Sequence, residues 1–417
     1  MYSAIRGGSA IHPLRPSLAT SLLLLLLFSG PPRFRERDVT ASLKGQIDGV
    51  VIFHIVVWAI AGLWIFYQLR FGAQPGRKFV KLNSPQILGL ALAAALSVSI
   101  FVSVSPALTA FKVYQILISL LFMTVFVRRY GIQETLKQLF LSSAVLCVAL
   151  PAALLINPGM VLVTTETGAP RLRGDYIAGT EDVAILCLIF LLAEIQHLPR
   201  VAYGCLLILC CSLLIVSVSR SAYVYLLVVF LLVLFKPPPS KAFRRFAWIF
   251  AITAAFVLCT NLSRLFEQFR DPHTVSTLSD RTGLWAYLAA VTLDKSPFVG
   301  LGYYSASRVY ALEYNPGLGT AHSMFVETLL GGGIIAATIL LFLCVMMLAD
   351  AVRVFRLGNT NVTFLVGVLC LLTLFSGALG ATLDSGPTAI TFWSLAAILP
   401  ILKSSVNAST LGPSRAR

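Results

Sequence analysis

Three ionisable residues of this chain stand where apolar segments meet polar ones. Arg220 lies between two apolar runs, Arg281 lies in the longest polar stretch, and His322 stands where the next apolar run begins. A planar guanidinium group binds phosphate oxygens in pairs, and histidine can take up a proton near neutral pH. An arginine costs roughly 2.5–3.5 kcal/mol at the bilayer centre and less at an edge, so it is retained mostly where it faces protein or a ligand. The set predicts a site for an anionic ligand.

Each residue of this set also has a purely structural alternative. Arg220 can extend to lipid headgroups, Arg281 can be an ordinary solvated loop residue, and His322 can be a satisfied histidine at a helix start. Arg171 and Arg173 lie in another polar stretch and add positive charge. Several guanidinium groups together favour a phosphate ligand, and a diphosphate is the form that we expect at a membrane surface.

Motifs for metal or nucleotide chemistry are absent from the sequence. It has no DxD, no HExxH, no Cys/His cluster and no P-loop, so we expect neither a metal centre nor nucleotide hydrolysis. All eight cysteines lie within apolar stretches without a CxxC pair, and we expect them to pack as small hydrophobic residues. No cofactor is predicted.

The composition places the chain in a membrane. Of its 417 residues, 58% are apolar and only 12% are charged, about half the charged fraction of a soluble protein, and the mean hydropathy is +0.86. The formal net charge of +15 does not indicate nucleic-acid binding, because the basic residues lie in short loops beside apolar segments, where membrane orientation and anionic lipids account for them. We expect one all-α, polytopic membrane domain over residues 1–417.

A transmembrane helix needs about 17–20 predominantly apolar residues. The sequence has eleven or twelve such runs, of which the first is the shortest. The predicted spans are 17–30, 48–69, 84–106, 111–128, 137–156, 181–197, 201–219, 221–236, 246–262, 321–348, 361–380 and 386–402.

Lysine and arginine residues in the short loops orient the spans. If the twelve segments alternate, four basic loops fall on one side, which we therefore expect to be cytoplasmic; they lie at 70–81, 128–137, 236–245 and 353–356. The basic stretch 31–47 falls on the other side and is the exception. Two polar stretches then face outward, 157–180 and the main loop 263–320, and the ionisable set lies on that side.

The same residues carry an ordered set of motifs that resembles the O-antigen ligase and polymerase superfamily, including the ExoQ-like exopolysaccharide polymerases. The resemblance covers about residues 170–345. Its pieces are Ser217-Val218-Ser219-Arg220-Ser221, Arg281-Thr282-Gly283-Leu284-Trp285, Ser296-Pro297-Phe298-Val299-Gly300-Leu301-Gly302, Ala321-His322-Ser323-Met324-Phe325-Val326-Glu327 and Gly331-Gly332-Gly333.

This resemblance implies a glycosyltransferase of the bacterial inner membrane that works on the periplasmic face without metal or nucleotide. It would transfer a glycan from an undecaprenyl-diphosphate carrier to a sugar hydroxyl. Arg220 and Arg281 would hold the diphosphate and stabilise the leaving group, and His322 would accept the proton of the attacking hydroxyl. Polymerases of this kind usually work beside a flippase and a chain-length regulator. Substrate contacts are implied for four more residues, Arg171, Arg173, Trp285 and Glu327.

The sequence departs from the family pattern at two places. Ser323 follows His322 where family members commonly have Asn, and residues 179–182 lack the Asn that commonly follows the earlier Arg-Gly. The missing amides bear on glycan contacts and leave the Arg and His residues untouched.

We expect a polymerase of lipid-linked repeat units that makes exopolysaccharide or O-antigen. An O-antigen ligase that transfers glycan to lipid A core is the alternative within the family. A solute transporter is the alternative from another class, but a transporter site should lie at the bilayer midplane. A structural partner in a secretion complex is a third possibility, and it would need no charged cluster.

Overall fold

The computed structural model describes residues 14–30, 48–71, 82–164, 170–172, 179–217, 224, 227–228, 231, 281–315, 319–380 and 382–410. Within these ranges the chain forms eleven α-helices, two short 3-10 turns and one pair of three-residue strands. Seven of the described helices are long and apolar enough to cross a membrane. The prediction of an all-α, polytopic membrane protein is therefore confirmed.

The described helices are numbered here in chain order. In chain order they are α1 (Leu18–Ser29), α2 (Gly49–Phe71), α3 (Ser84–Val98), α4 (Pro106–Ile156), α5 (Thr180–Leu192), α6 (Arg200–Ser217), α7 (Arg281–Lys295), α8 (Ser305–Tyr314), α9 (Met324–Leu357), α10 (Asn361–Leu379) and α11 (Pro387–Thr410). The 3-10 turns are Ser99–Val102 and Pro158–Met160, and the antiparallel strands are β1 (Leu162–Thr164) and β2 (Pro170–Leu172).

Helix α4 contains two of the predicted spans. Its 51 residues are interrupted at Gly131, whose φ of 82° and ψ of 168° are not helical. A straight helix of this length would extend about 75 Å, more than twice the roughly 30 Å hydrocarbon core. The spans predicted at 111–128 and 137–156 correspond to its two halves. Glycine adopts this positive φ without a steric penalty.

Two further predicted spans correspond to shorter helices, and two lie essentially outside the described residues. The span 181–197 corresponds to α5, which has only 13 residues because Ala193 caps it and Glu194 adopts a φ of 49°. The span 17–30 corresponds to α1, an apolar helix of 12 residues. The spans 221–236 and 246–262 lie essentially outside the described residues.

Helices α10 and α11 are the most buried of the seven long apolar helices. Two thirds of the residues in their apolar windows are buried, against 22% for α2 and α6, so α2 and α6 expose most of their apolar surface outward. Helix α9 packs against α3 and α10, and α4 packs against α3, α5 and α11. Large side chains fill the core, among them Trp58, Phe122, Phe190 and Trp393.

Four connecting segments meet at one end of this bundle, which we call the loop end; they are 99–105, 296–304, 319–323 and 382–386. Hydrogen bonds join these segments to one another or to the helices beside them. The hydroxyls of Ser103 and Ser305 lie 2.8 Å apart, and the amide of Leu383 donates to the hydroxyl of the buried Tyr303 at 3.3 Å. The loop end is therefore an ordered polar layer.

The glycine motifs interlock at this end. The amide of Leu301 donates to the carbonyl of Leu330 at 2.8 Å, and the amide of Ile334 donates to the carbonyl of Pro297 at 2.8 Å. Helix α9 is broken at Gly333, where φ is 67°. A Cβ on Gly300 would lie 2.5 Å from the backbone carbon of Gly331, closer than real Cβ atoms approach. Residues 296–302 thus lie backbone to backbone against the break in α9.

Candidate active site

Arg281 is the first residue of α7 and joins that helix to α10. Its Nη1 donates a hydrogen bond to the carbonyl oxygen of Leu379 at 2.5 Å, and Leu379 is the last residue of α10. The last carbonyls of a helix have no partner within the helix, and a charged donor is favourable there. Arg281 is half-buried, and it lies near the loop end, beside the connection that follows α10.

His322 lies in the turn that leads into α9. Its φ is 51°, in the left-handed region, where histidine occurs several times more often than most residues other than glycine. Ser323 follows as the N-cap of α9, and its carbonyl accepts the amide hydrogen of Glu327 at 2.9 Å. The half-buried imidazole therefore stands on a fixed turn at the helix start.

Trp285 links the two predicted residues. Its indole Nε1 donates to the carbonyl oxygen of Ala321 at 2.8 Å. Residues four apart on a helix lie on the same face, so Trp285 and Arg281 share one side of α7. Because Ala321 precedes His322 directly, this contact brings Arg281 and His322 to the same part of the loop end.

Glu327 is directed into the protein. It is 2% exposed, and its Oε1 accepts a hydrogen bond from the hydroxyl of Ser307 at 2.8 Å. Its carboxylate also takes a hydrogen bond from the backbone of Ala321. The substrate contacts that the resemblance implies for Trp285 and Glu327 stay predictions; the contacts described here hold the turn that carries His322.

A buried ion pair at the loop end was missed from the sequence. Lys112 Nζ lies 2.5 Å from Asp384 Oδ2, and the two side chains are 13% and 1% exposed. Lys112 Nζ also lies 4.2 Å from the ring centroid of Tyr304, and the guanidinium carbon of Arg308 lies 4.5 Å from the same centroid. Both cations thus make cation–π contacts with one ring.

The Asp384 carboxyl is held in its charged form. Burial by itself would raise its pKa, but the charge and hydrogen bond of Lys112, with a further hydrogen bond from Thr382, lower the pKa below its ordinary value. Oδ1 of Asp384 has no hydrogen-bond partner among the described residues.

Arg308 also supports the turn before His322. It donates from Nη1 to the carbonyl oxygen of Gly319 at 2.8 Å and from Nη2 to the hydroxyl of Tyr304. From sequence it was only one charge among several in the loop 263–320. A signal for Lys112 existed, because it is a charged residue just inside a predicted span, but its pairing with Asp384 joins positions 272 residues apart.

The side chains of three predicted arginines lie outside what the structure describes. Arg220 and Arg173 lie outside the described residues. Arg171 lies in β2, where its backbone pairs with Val163 of β1, but its side chain is not among those that the structure describes. Their predicted contacts with phosphate or glycan stay predictions.

The described residues include one group that could hold a metal ion, remote in sequence from the loop end. The thiol sulfurs of Cys147, Cys187 and Cys210 all lie within 4.8 Å of one another, and all three residues are buried. They come from α4, α5 and α6. Thiol ligands would suit a soft metal. Their spacing in the sequence gave no sign of this grouping.

The loop end combines a cation able to bind phosphate, a histidine on a fixed turn and a buried carboxylate. This combination suits transfer of a group from a phosphate ester to a hydroxyl. Comparison with known families agrees, because residues 205–343 match the family model Wzy_C, described as O-antigen ligase. A search of curated proteins finds no match to the chain. The matched range includes Arg281, Trp285, His322 and Glu327, and the resemblance predicted from the motifs is confirmed.

Proposed function

Residues 205–343 match the Wzy_C O-antigen ligase family in a multi-pass membrane protein, and from this premise we propose a specific reaction. The protein polymerises repeat units carried on undecaprenyl diphosphate into exopolysaccharide or O-antigen at the periplasmic face of the bacterial inner membrane. The observation that carries this proposal is the convergence of Arg281 and His322 at the loop end through the contact of Trp285 with Ala321.

In the proposed reaction, the lipid-linked donor enters from the bilayer with its diphosphate at the depth of the loop end. Arg281 has five N–H donors on a planar group, so it can bind a phosphate oxygen while it holds Leu379. Arg220 is proposed as the second diphosphate ligand, and Arg173 and Arg171 as outer contacts.

The proposed reaction needs only the lipid-linked donor and the acceptor hydroxyl. The acceptor hydroxyl oxygen attacks the anomeric carbon of the donor sugar, and the bond from that carbon to the phosphate oxygen breaks. The electron pair stays with the polyprenyl diphosphate, whose developing charge the arginines stabilise; this type of stabilisation is worth roughly 10²–10³ in rate per donor. His322 takes the proton of the attacking hydroxyl, which contributes roughly 10²–10⁴.

An O-antigen ligase is the second candidate, because the matching family carries that description. Ligase and polymerase share the donor and differ in the acceptor, which is a lipid A core for the ligase and a second lipid-linked glycan for the polymerase. The residues described here act on the donor and on the attacking hydroxyl, so they serve either reaction.

The test is the glycan profile of a deletion strain complemented with wild-type protein or His322→Asn. Asparagine tolerates the left-handed backbone of His322 better than alanine does, so this variant removes the imidazole without straining the turn. His197→Asn is the matched control, because His197 is exposed in the α5–α6 connection. Membrane abundance is checked by immunoblot for all three proteins.

We expect wild type and His197→Asn to make long chains. We expect His322→Asn to accumulate single lipid-linked repeat units. Long chains that persist on the lipid carrier without their final acceptor would identify a ligase instead. A glycan profile unchanged by deletion of the gene would reject both reactions.

A further inference from the structure

The conformation of His322 depends on the backbone of Ala321. Rotation about the N–Cα bond of His322 defines its φ of 51°, and one side of that bond is the peptide plane that contains the Ala321 carbonyl. The other side leads into α9, whose first turn is closed by the bond from the Glu327 amide to the Ser323 carbonyl. A residue in this sparsely populated region stays there only where its surroundings fix it.

Two side chains fix Ala321 from different elements. The indole of Trp285 in α7 donates to the carbonyl of Ala321 at 2.8 Å. The carboxylate of Glu327 in α9 accepts a hydrogen bond from the backbone of Ala321. It also accepts one from the hydroxyl of Ser307 in α8. Ala321 and Ser307 are both completely buried. Three helices therefore converge on the residue before His322.

We propose that Trp285 and Glu327 are positioning residues that set the direction of the His322 imidazole by holding the backbone of Ala321. The inference rests on the proposed function, in which His322 is the base, and it assigns these two residues a task other than the substrate contact implied by the motifs. Burial supports the assignment for Glu327, which is 2% exposed and can hardly reach a glycan. The indole N–H of Trp285 is likewise engaged within the protein.

The first experiment reads the position of His322 without relying on activity. The purified full-length protein is treated with diethyl pyrocarbonate, and the modification rate of His322 is measured by mass spectrometry, with the exposed His197 as internal standard. Trp285→Phe removes the indole N–H and keeps most of the ring, and Glu327→Ala removes the carboxylate. Trp58→Phe is the matched control, because Trp58 is fully buried and its Nε1 has no hydrogen-bond partner among the described residues.

We expect Trp285→Phe and Glu327→Ala to change the rate at His322 relative to His197, and Trp58→Phe to leave it unchanged. Glu327→Gln keeps a carbonyl oxygen for Ser307 and Ala321, so it should lie closer to wild type than Glu327→Ala. Equal rates in wild type, Trp285→Phe and Glu327→Ala would overturn the proposal, whether or not the protein transfers glycan.

The second experiment uses kinetics with a lipid-linked donor in reconstituted membranes. Displacement of a catalytic base by about 1 Å can lower the rate roughly 10²-fold. Trp285→Phe should therefore lower kcat by at least about tenfold. The KM for donor should stay nearly unchanged. Added to His322→Asn, the same substitution should cause no further loss, because coupled residues are not additive.

A raised KM for donor with unchanged kcat in Trp285→Phe would mean that Trp285 binds substrate, and it would overturn the positioning role. An independent, additive loss in the His322→Asn background would do the same. Absence of transfer by the wild-type protein would instead refute the proposed function, while the modification rates would still decide whether Trp285 and Glu327 position His322.

Discussion

Lys112 Nζ and Asp384 Oδ2 lie 2.5 Å apart at the loop end, although 272 residues separate them in the chain. The pair joins the start of α4 to the connection between α10 and α11. The same connection follows Leu379, the residue to which Arg281 donates. This buried ion pair therefore joins two segments of the layer that carries Arg281 and His322.

Removal of the cation from this pair should strongly destabilise the protein. Lys112→Met leaves the carboxylate of Asp384 buried and unpaired, and breaking a buried pair in this way typically costs about 3–5 kcal/mol. The double variant Lys112→Met with Asp384→Asn should recover part of that loss, because no charge remains buried. Thermal unfolding in detergent, followed by fluorescence, measures the effect.

Lys403→Met is the control for the loss of a membrane-domain ion pair. Lys403 Nζ lies 2.6 Å from Asp350 Oδ1, but its side chain is 37% exposed, so water can replace the lost partner more easily. We expect a smaller loss of unfolding temperature than for Lys112→Met. Equal losses in the two variants would argue against a special cost of burial at Asp384.

Asp384 should also make stability depend on acid pH. Its folded-state pKa lies below the ordinary value, which is about 3.9 for aspartate. The folded state thus favours the charged form, so the contribution is complete above the ordinary pKa and disappears as pH falls through the lower, folded-state pKa. Unfolding temperatures measured between pH 6 and pH 3 should fall less steeply for Asp384→Asn than for wild type. Parallel curves would contradict this origin of the acid sensitivity.

The membrane helices could be predicted from the sequence because the bilayer imposes a length and an apolar composition on each one. The same rule failed for α5, whose helix ends at Leu192 because Glu194 adopts a positive φ. Nothing in an apolar run indicates a backbone reversal of that kind.

The candidate site could be predicted in part. His322 was recognisable at the start of an apolar run, Arg281 in the main polar loop, and both in family motifs. The pair of Lys112 with Asp384 was not, because its members lie 272 residues apart, one inside a predicted span and the other in the connection between two later spans. The left-handed backbone of His322 was not predictable either, since it depends on contacts from α7 to Ala321.

The glycine interlock predicts a sharp dependence of folding on two glycines. A Cβ on Gly300 would lie 2.5 Å from the backbone of Gly331, and one on Gly333 would lie 2.3 Å from the backbone of Phe298. Both glycines also have positive φ, which strains alanine. Gly300→Ala and Gly333→Ala should therefore reduce the amount of folded protein in the membrane, as measured by immunoblot and by size-exclusion chromatography in detergent.

Gly204→Ala is the matched control for these variants. Gly204 lies within α6, and nothing approaches within 4 Å of an added Cβ there. Alanine is favoured over glycine in a helix interior by about 0.8–1.0 kcal/mol, so this variant should be at least as abundant as wild type. Normal abundance of Gly300→Ala would show that residues 296–302 can move away from α9.

The arginines allow a final test of phosphate binding. Arg281→Lys keeps the positive charge and loses the planar, multi-donor group that matches phosphate oxygens. We expect it to abolish long-chain glycan at normal membrane abundance, as we expect for Arg281→Ala and for Arg220→Lys. The control is Arg200→Lys, at the exposed start of α6, which should support normal chain lengths.

Two outcomes would change the assignment of Arg281. Full polymer from Arg281→Lys would mean that a simple charge is sufficient and that bidentate phosphate binding is not required. Full polymer from Arg281→Ala would remove the residue from the mechanism and leave it the structural task of holding Leu379. Loss of polymer together with loss of the protein from the membrane would assign the defect to folding, because the guanidinium also joins α7 to α10.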